Sequence, residues 1–60
     1  MNDMNLHDIT NIKIEQVDTL ERSNGESFVT RHIIFESKER GSFRITAYGD
    51  EVSDLSITFE

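Results

Sequence analysis

The sequence has no cysteine and no proline, only two histidines, and no long apolar run. Without cysteine, the chain forms no disulfide and offers no thiolate as nucleophile or metal ligand. Without proline, no residue of that type interrupts a strand. No apolar run approaches the roughly 18 residues that span a membrane, and the start at Met1 lacks the basic and apolar parts of a signal peptide. We therefore expect a cytoplasmic protein that does not insert into membranes.

The chain is short and acidic, with 60 residues and a formal net charge of −6. A domain of this size buries only about 60% of its unfolded surface, so its core needs a supplement. Disulfides are excluded, and a metal site would need carboxylates beside His7 and His32. Self-association remains, so we expect a homo-oligomer and favour a dimer. The negative charge repels phosphate backbones and anionic lipid, which argues against direct nucleic-acid binding.

Alternation of apolar and polar residues begins at Ile9 and indicates β-strands. We therefore divide the chain into a flexible N-terminal arm at residues 1–8 and a single β-rich domain at residues 9–60. The predicted fold is mainly β, a small antiparallel meander of four strands, with one short helical turn before the last strand. The predicted strands cover residues 12–20, 28–37, 42–48 and 55–59.

Two turns set the predicted registers. Asn24 and Gly25 suit both central positions of a type I′ hairpin, which would place Leu20 opposite Val29. Residues 38–41 suit a three-residue turn with a left-handed glycine, which would place Phe35 opposite Ile45. Both registers put one set of apolar residues on a common core face. That set comprises Ile12, Ile14, Leu20, Val29, Ile33, Phe35, Phe43, Ile45 and Ala47.

The opposite face of the predicted meander is less polar than a solvated face, because Val17, Phe28, Ile34 and Tyr48 project there. A second apolar patch indicates a dimer contact, a seat for the N-terminal arm, or a partner site, in that order of preference. The alternative is that scattered exposed apolar residues on so small a protein carry no function.

No sequence motif for catalysis or cofactor binding is present. Nucleophile elbow, phosphate loop, dinucleotide fingerprint and zinc spacing are all missing, so we expect neither an enzyme nor a cofactor. His32, placed opposite Tyr48 by the predicted register, has no evident nucleophile to activate. Asp50, Glu51 and Asp54 could ligate calcium, but their spacing does not fit an EF-hand loop, and a solvated turn is favoured. We predict no metal site.

Four features resemble small phage-encoded acidic β proteins, a group that includes anti-CRISPR and anti-restriction inhibitors. They are the short polar arm, Ile12-x-Ile14, Thr30-Arg31-x-Ile33-Ile34, and the run from Phe43 to Asp50. The resemblance covers residues 9–59 in general texture and includes no diagnostic motif. It implies binding to a host protein in the host cytoplasm and blocking of its nucleic-acid site. No functional residue is carried over from so diverse a group.

The expected function is therefore that of a small acidic protein-binding module that inhibits or modulates a larger partner. Carboxylates on a small surface can occupy a groove built for phosphates, because both accept hydrogen bonds from Arg and Lys. The candidate acidic positions are Glu15, Asp18, Glu21, Asp50, Glu51 and Asp54. The alternative is a structural or assembly protein that self-associates through sheet edges or faces.

Overall fold

The computed structural model describes residues 1–60 and contains one antiparallel sheet of four strands. A single 3-10 helix follows the last strand, so the predicted mainly-β architecture with one helical turn is confirmed. The strands are β1 (Ile9–Ile14), β2 (Asp18–Glu21), β3 (Ser27–Ser37) and β4 (Gly41–Gly49), and the helix covers Val52–Leu55. A membrane-spanning helix, which needs both length and apolar composition, is absent from the structure.

The long strand β3 lies at the centre of the sheet. β4 pairs with it along one side, and β1 and β2 pair end to end along the other side. Ile14 pairs with Ile33 and Asp18 pairs with Thr30, so three residues of the edge strand oppose two of β3. This extra residue is a β-bulge, and it divides the predicted first strand in two.

The first hairpin has a three-residue loop, so the predicted type I′ turn is wrong. The Arg22 carbonyl accepts a hydrogen bond from Gly25 N–H at 3.0 Å, and Arg22 N–H donates to Glu26 O at 2.7 Å. Gly25 has a φ of +87°, whereas Asn24 does not have positive φ. Asn24 Oδ1 instead accepts a hydrogen bond from Glu26 N–H at 3.0 Å, which closes a local turn.

The longer loop shifts the first hairpin by one residue, so Leu20 pairs with Phe28 and not with Val29. A one-residue shift moves a side chain to the other face, and the placement of Leu20 on the core face was therefore wrong. Ile14 pairs with Ile33, two residues from the predicted partner. A shift of two keeps the face, so Ile14 stays on the predicted side.

The second hairpin turns between β3 and β4 at Gly41, whose φ of +78° confirms the predicted left-handed glycine. Its register differs by two residues, because Phe35 pairs with Phe43 and not with Ile45. The same shift pairs His32 with Thr46 and not with Tyr48. The apolar residues of β3 and β4 nevertheless keep their predicted face.

No strand forms after β4, so the predicted strand at residues 55–59 is wrong. The 3-10 helix packs against β3 and β4. Arg31 Nη1 donates a hydrogen bond to the Leu55 carbonyl at 2.9 Å, and Glu51 N–H donates to the Asp54 carboxylate at 3.0 Å. These bonds fix the chain across the end of the sheet, where residues 56–60 have no regular structure.

The fold has almost no interior. Only Val29 and Thr30, neighbours on β3, are buried. The predicted core residues Ile12, Ile14, Phe43 and Ile45 remain 40–54% exposed. A single sheet has only one layer, so much of the expected core remains at the surface.

Candidate protein-binding surfaces

One face of the sheet, here called the open apolar face, combines alternate residues of β1, β3 and β4. Cross-strand pairing brings them side by side, since Ile12 pairs with Phe35 and Ile33 pairs with Ile45. The face is defined by Ile12, Ile14, Ile33, Phe35, Phe43 and Ile45. All six are half-buried or exposed. A contiguous apolar patch of this kind marks a contact surface more often than scattered apolar residues do.

Segments of the same chain adjoin the open apolar face on two sides. At one end Met4 and Leu6, in the N-terminal arm, line a shallow pocket of about 390 Å³ together with Ile9 and three residues of the face. At the other end Leu55, in the 3-10 helix, approaches Gly49, where an added Cβ would lie 3.2 Å from the leucine side chain. Four residues of the face nevertheless stay 40–54% exposed, namely Ile12, Ile14, Phe43 and Ile45.

Arg31 is the one charged residue on this side of β3. Its Nε donates a hydrogen bond to the Glu15 carbonyl and its Nη1 donates to the Leu55 carbonyl, both at 2.9 Å. The guanidinium therefore links the bulge between β1 and β2 to the end of the 3-10 helix. Both acceptors are backbone carbonyls, so this charge acts as a structural tie.

The opposite face carries a compact cluster beside the first hairpin, between β2 and β3. It is here called the aromatic end and is defined by Arg22, Phe28 and Tyr48. The rings of Phe28 and Tyr48 stack with centroids 6.3 Å apart and planes inclined by 27°. The Arg22 guanidinium carbon lies 4.7 Å from the centre of the Phe28 ring, within cation–π distance. Tyr48 is 71% exposed in spite of these contacts. The aromatic end thus presents a supported ring to the solvent.

Carboxylates lie on both sides of the aromatic end. Asp50 and Asp54 line a shallow pocket of about 330 Å³ with the three residues of the aromatic end and Gly49. On the other side, Asp18 pairs with Thr30, which pairs with Tyr48, so the three residues form one row across the sheet. Three of the predicted acidic residues therefore lie around the aromatic end.

The other predicted acidic residues lie elsewhere. Glu15 lines a second pocket of about 390 Å³ with Asp18 and His32, beside the bulge. Glu21 pairs with Ser27, which puts it on the side of the open apolar face at the end of β2. Glu51 precedes the 3-10 helix as its N-cap residue. All six predicted acidic side chains are exposed.

The four residues of the predicted apolar interface do not form one patch. Phe28 and Tyr48 are in contact, but Ile34 is six residues further along β3, about 20 Å at the rise of a strand. Ile34 pairs with Lys13 on one side and Arg44 on the other, which separates it from other apolar groups. Val17 is half-buried in the segment between β1 and β2.

The polar centre of the same face is a hydrogen-bonded network. The Asn11 side-chain amide donates to Glu36 Oε1 at 2.9 Å, and Lys13 Nζ lies 3.5 Å from Glu36 Oε2. The hydrogen bond from Asn11 and, after it, the charge of Lys13 lower the pKa of Glu36. His32 Nδ1 lies 2.9 Å from Thr46 Oγ1. No three His, Asp or Glu side chains form a group that could hold a metal ion.

Sequence reasoning missed Arg22 and the exposure of the open apolar face. Arg22 lies directly before the turn, and only a three-residue loop places it over Phe28. The signal for the exposed face was the length of the chain, because 60 residues in one sheet leave no second layer to cover it.

No known protein family, curated protein or solved structure matches this chain. The resemblance to phage-encoded inhibitors therefore stays a prediction. The functional conclusion rests on the geometry of the two surfaces.

Proposed function

We propose that this chain is a protein-binding module that inhibits or modulates a larger protein partner, with the aromatic end as its contact surface. The observation that carries the proposal is the exposed Tyr48 ring, stacked on Phe28 with Arg22 over the second ring. Tyrosine and arginine dominate the energetic centres of protein interfaces. A supported ring loses little conformational freedom on binding, so its burial translates efficiently into affinity.

The carboxylates around the aromatic end indicate the chemistry of the partner. Asp18, Asp50 and Asp54 surround a site on a chain whose formal net charge is −6. Such a surface complements Lys and Arg on a partner and steers its approach. We propose a basic groove that normally binds phosphates, as in a nucleic-acid-binding defence complex in the host cytoplasm. The carboxylates would then take the place of phosphate oxygens.

Affinity capture from host lysate, followed by mass spectrometry and a binding titration of the captured protein, tests the aromatic end. Tyr48→Ala is expected to weaken binding by about 30-fold or more, as for an energetic centre of an interface. Phe59→Ala is the matched control, because Phe59 is an aromatic residue that is 88% exposed and lies outside the cluster. Equal affinity for wild type and Tyr48→Ala would contradict the proposal.

The acidic flank is tested with the triple variant Asp50→Asn, Glu51→Gln and Asp54→Asn. We expect weaker binding and a smaller dependence of affinity on salt, since both reflect charge pairing with the partner. The control triple variant Asp3→Asn, Glu39→Gln and Glu60→Gln makes the same change in net charge away from the aromatic end. If both triple variants lower affinity equally, only the overall charge matters and the flank has no specific role.

A second candidate function is assembly through strand addition, and the free edge of β4 favours it. β4 pairs in one uninterrupted register with β3 over all nine residues, whereas the opposite edge is broken by bulges. A long regular edge without proline can pair with another strand. This candidate predicts open-ended growth that is insensitive to salt, which light scattering at low and high salt distinguishes from binding at the acidic flank.

A further inference from the structure

We infer that a second copy of this chain covers the open apolar face, so that two sheets stack into a two-layer sandwich. The inference goes beyond the proposed function, which concerns the opposite face. Packed sheets lie about 10 Å apart and share a core made by the side chains of their inner faces. The single chain supplies one such inner face and buries only Val29 and Thr30 by itself.

The exposed area of the chain matches what a dimer needs. The accessible surface is 5303 Å², whereas a compact monomer of 7.0 kDa is expected to expose roughly 4,000 Å². A standard interface buries roughly 800 Å² on each partner, which fits within this excess of roughly 1,300 Å². The radius of gyration of 13.9 Å also exceeds the roughly 10 Å expected for 60 compact residues. A second copy on this face would bury part of the excess area.

The charge distribution favours a second copy over a basic partner. At the positions of β1, β3 and β4 that share this face, no Asp or Glu occurs, although the chain contains twelve. Glu21, at the end of β2, is the only carboxylate on that side of the strands. Two such faces can meet without opposing carboxylates in spite of the net charge of each chain. A basic partner would find no counter-charge in the middle of the face.

The termini of the same chain leave much of the face exposed. Met4 and Leu6 line a pocket with Ile12, Phe35 and Ile45, yet Ile12 stays 54% exposed, Ile45 40% and Met4 75%. The last five residues leave Phe59 almost fully exposed. In an isologous dimer, the same patch of each chain packs against its copy. Both open apolar faces are then covered, and no free patch remains to bind a third chain. Each dimer also carries two aromatic ends on its outer faces, which provides two binding sites per particle.

Sedimentation equilibrium with a matched pair of variants locates the contact. Wild type is expected at twice the 7.0 kDa of the chain, at low and at high salt alike. Ile14→Lys puts a charge into the open apolar face, and Leu20→Lys puts one on the other face at nearly equal exposure, 41% against 46%. We expect Ile14→Lys to raise the dissociation constant of the dimer at least about 100-fold and Leu20→Lys less than about 3-fold.

A thiol-protection experiment keeps the inference testable if Ile14→Lys does not fold. The chain has no cysteine, so Ile45→Cys and Ser42→Cys each carry a single thiol on opposite faces of β4. Both positions are exposed in the single chain. The reaction of the Ile45→Cys thiol with a bulky maleimide is expected to slow about 10-fold as protein concentration rises through the dissociation constant. The Ser42→Cys thiol is expected to react at a constant rate.

A mass of 7.0 kDa for wild type at every concentration would overturn the inference. So would dissociation by Leu20→Lys but not by Ile14→Lys, or thiol reaction rates at Ile45→Cys that do not depend on protein concentration. Growth beyond the dimer would also contradict it, because a closed isologous contact uses the face completely.

Discussion

The two faces of the sheet both carry apolar side chains, but they combine them with charge in different ways. On the open apolar face, Ile12, Phe35 and Phe43 lie in one row with no charged neighbour in the strands. On the other face, Ile34 lies between Lys13 and Arg44, and Phe28 lies under Arg22. A row of apolar side chains without a charged neighbour is adapted to burial against another layer. A face with aromatic groups among charges is adapted to contact with a partner in water.

Adjacent isoleucines on β3 test this difference most strongly, because Ile33 and Ile34 are both half-buried and point to opposite faces. Ile33→Thr removes apolar volume and places a hydroxyl in the face that we propose a second copy covers, so we expect a loss of about 3 kcal/mol of unfolding free energy. Ile34→Thr is expected to cost less than about 1 kcal/mol, because charged neighbours and water surround it. Urea unfolding of both variants measures the contrast, and equal losses would remove the distinction between the faces.

Removing the hydrogen bonds of Arg31 is expected to have the next largest effect on stability. Arg31→Met keeps the length of the side chain but removes the hydrogen bonds to the carbonyls of Glu15 and Leu55. We expect a loss of about 2 kcal/mol and faster amide exchange in the 3-10 helix. Arg44→Met on the other face is the control, with an expected change of less than about 0.5 kcal/mol. An unchanged exchange rate would show that the guanidinium does not hold the helix in place.

The first hairpin determines which face Leu20 occupies, and a glycine substitution tests its loop. Gly25→Ala forces a side chain into the left-handed region, so we expect a loss of about 1 kcal/mol. Asn24→Ala is expected to cost less, because Asn24 has no positive φ and loses only the bond from Glu26 N–H. A type I′ turn would require positive φ at both positions and would make the two losses similar. Chemical denaturation of the two variants distinguishes the turns.

The smallest expected effect concerns pH and the Glu36 network. The hydrogen bond from Asn11 lowers the folded-state pKa of Glu36, with the charge of Lys13 adding to it. The stabilisation is therefore present above the ordinary pKa of 4.5 and is lost as the pH falls through the lowered value. Glu36→Gln should reduce the slope of unfolding free energy against pH below that point, whereas Glu60→Gln should leave it unchanged. Parallel slopes for Glu36→Gln and wild type would contradict this assignment.

The strands β3 and β4 could be predicted from sequence because their signals are local, whereas the predicted first strand is divided by a bulge and the predicted last strand does not form. The two-residue period and the left-handed Gly41 depend only on residues that are close together in the sequence. The register could not be predicted, since Asn24-Gly25 fits both a two-residue and a three-residue loop. The one additional residue in the loop places Leu20 on the other face and Arg22 over Phe28.

The roles of the two faces were harder to predict than the strands. An alternating pattern identifies an apolar face but does not state whether another layer of the same chain covers it. Residues 55–59 alternate as a strand would, yet Arg31 binds the Leu55 carbonyl at the end of the sheet. The predicted core thereby became a surface, while Phe28 and Tyr48 of the predicted interface did come together.

One chain buries only Val29 and Thr30, and we infer that a second copy supplies the missing layer. The midpoint of thermal unfolding, followed by circular dichroism over a wide range of protein concentration, tests it most directly. We expect a midpoint that rises steadily with protein concentration, because unfolding is coupled to dissociation. A cooperative transition at a midpoint that does not depend on concentration would contradict it, and would show that the single sheet is stable alone.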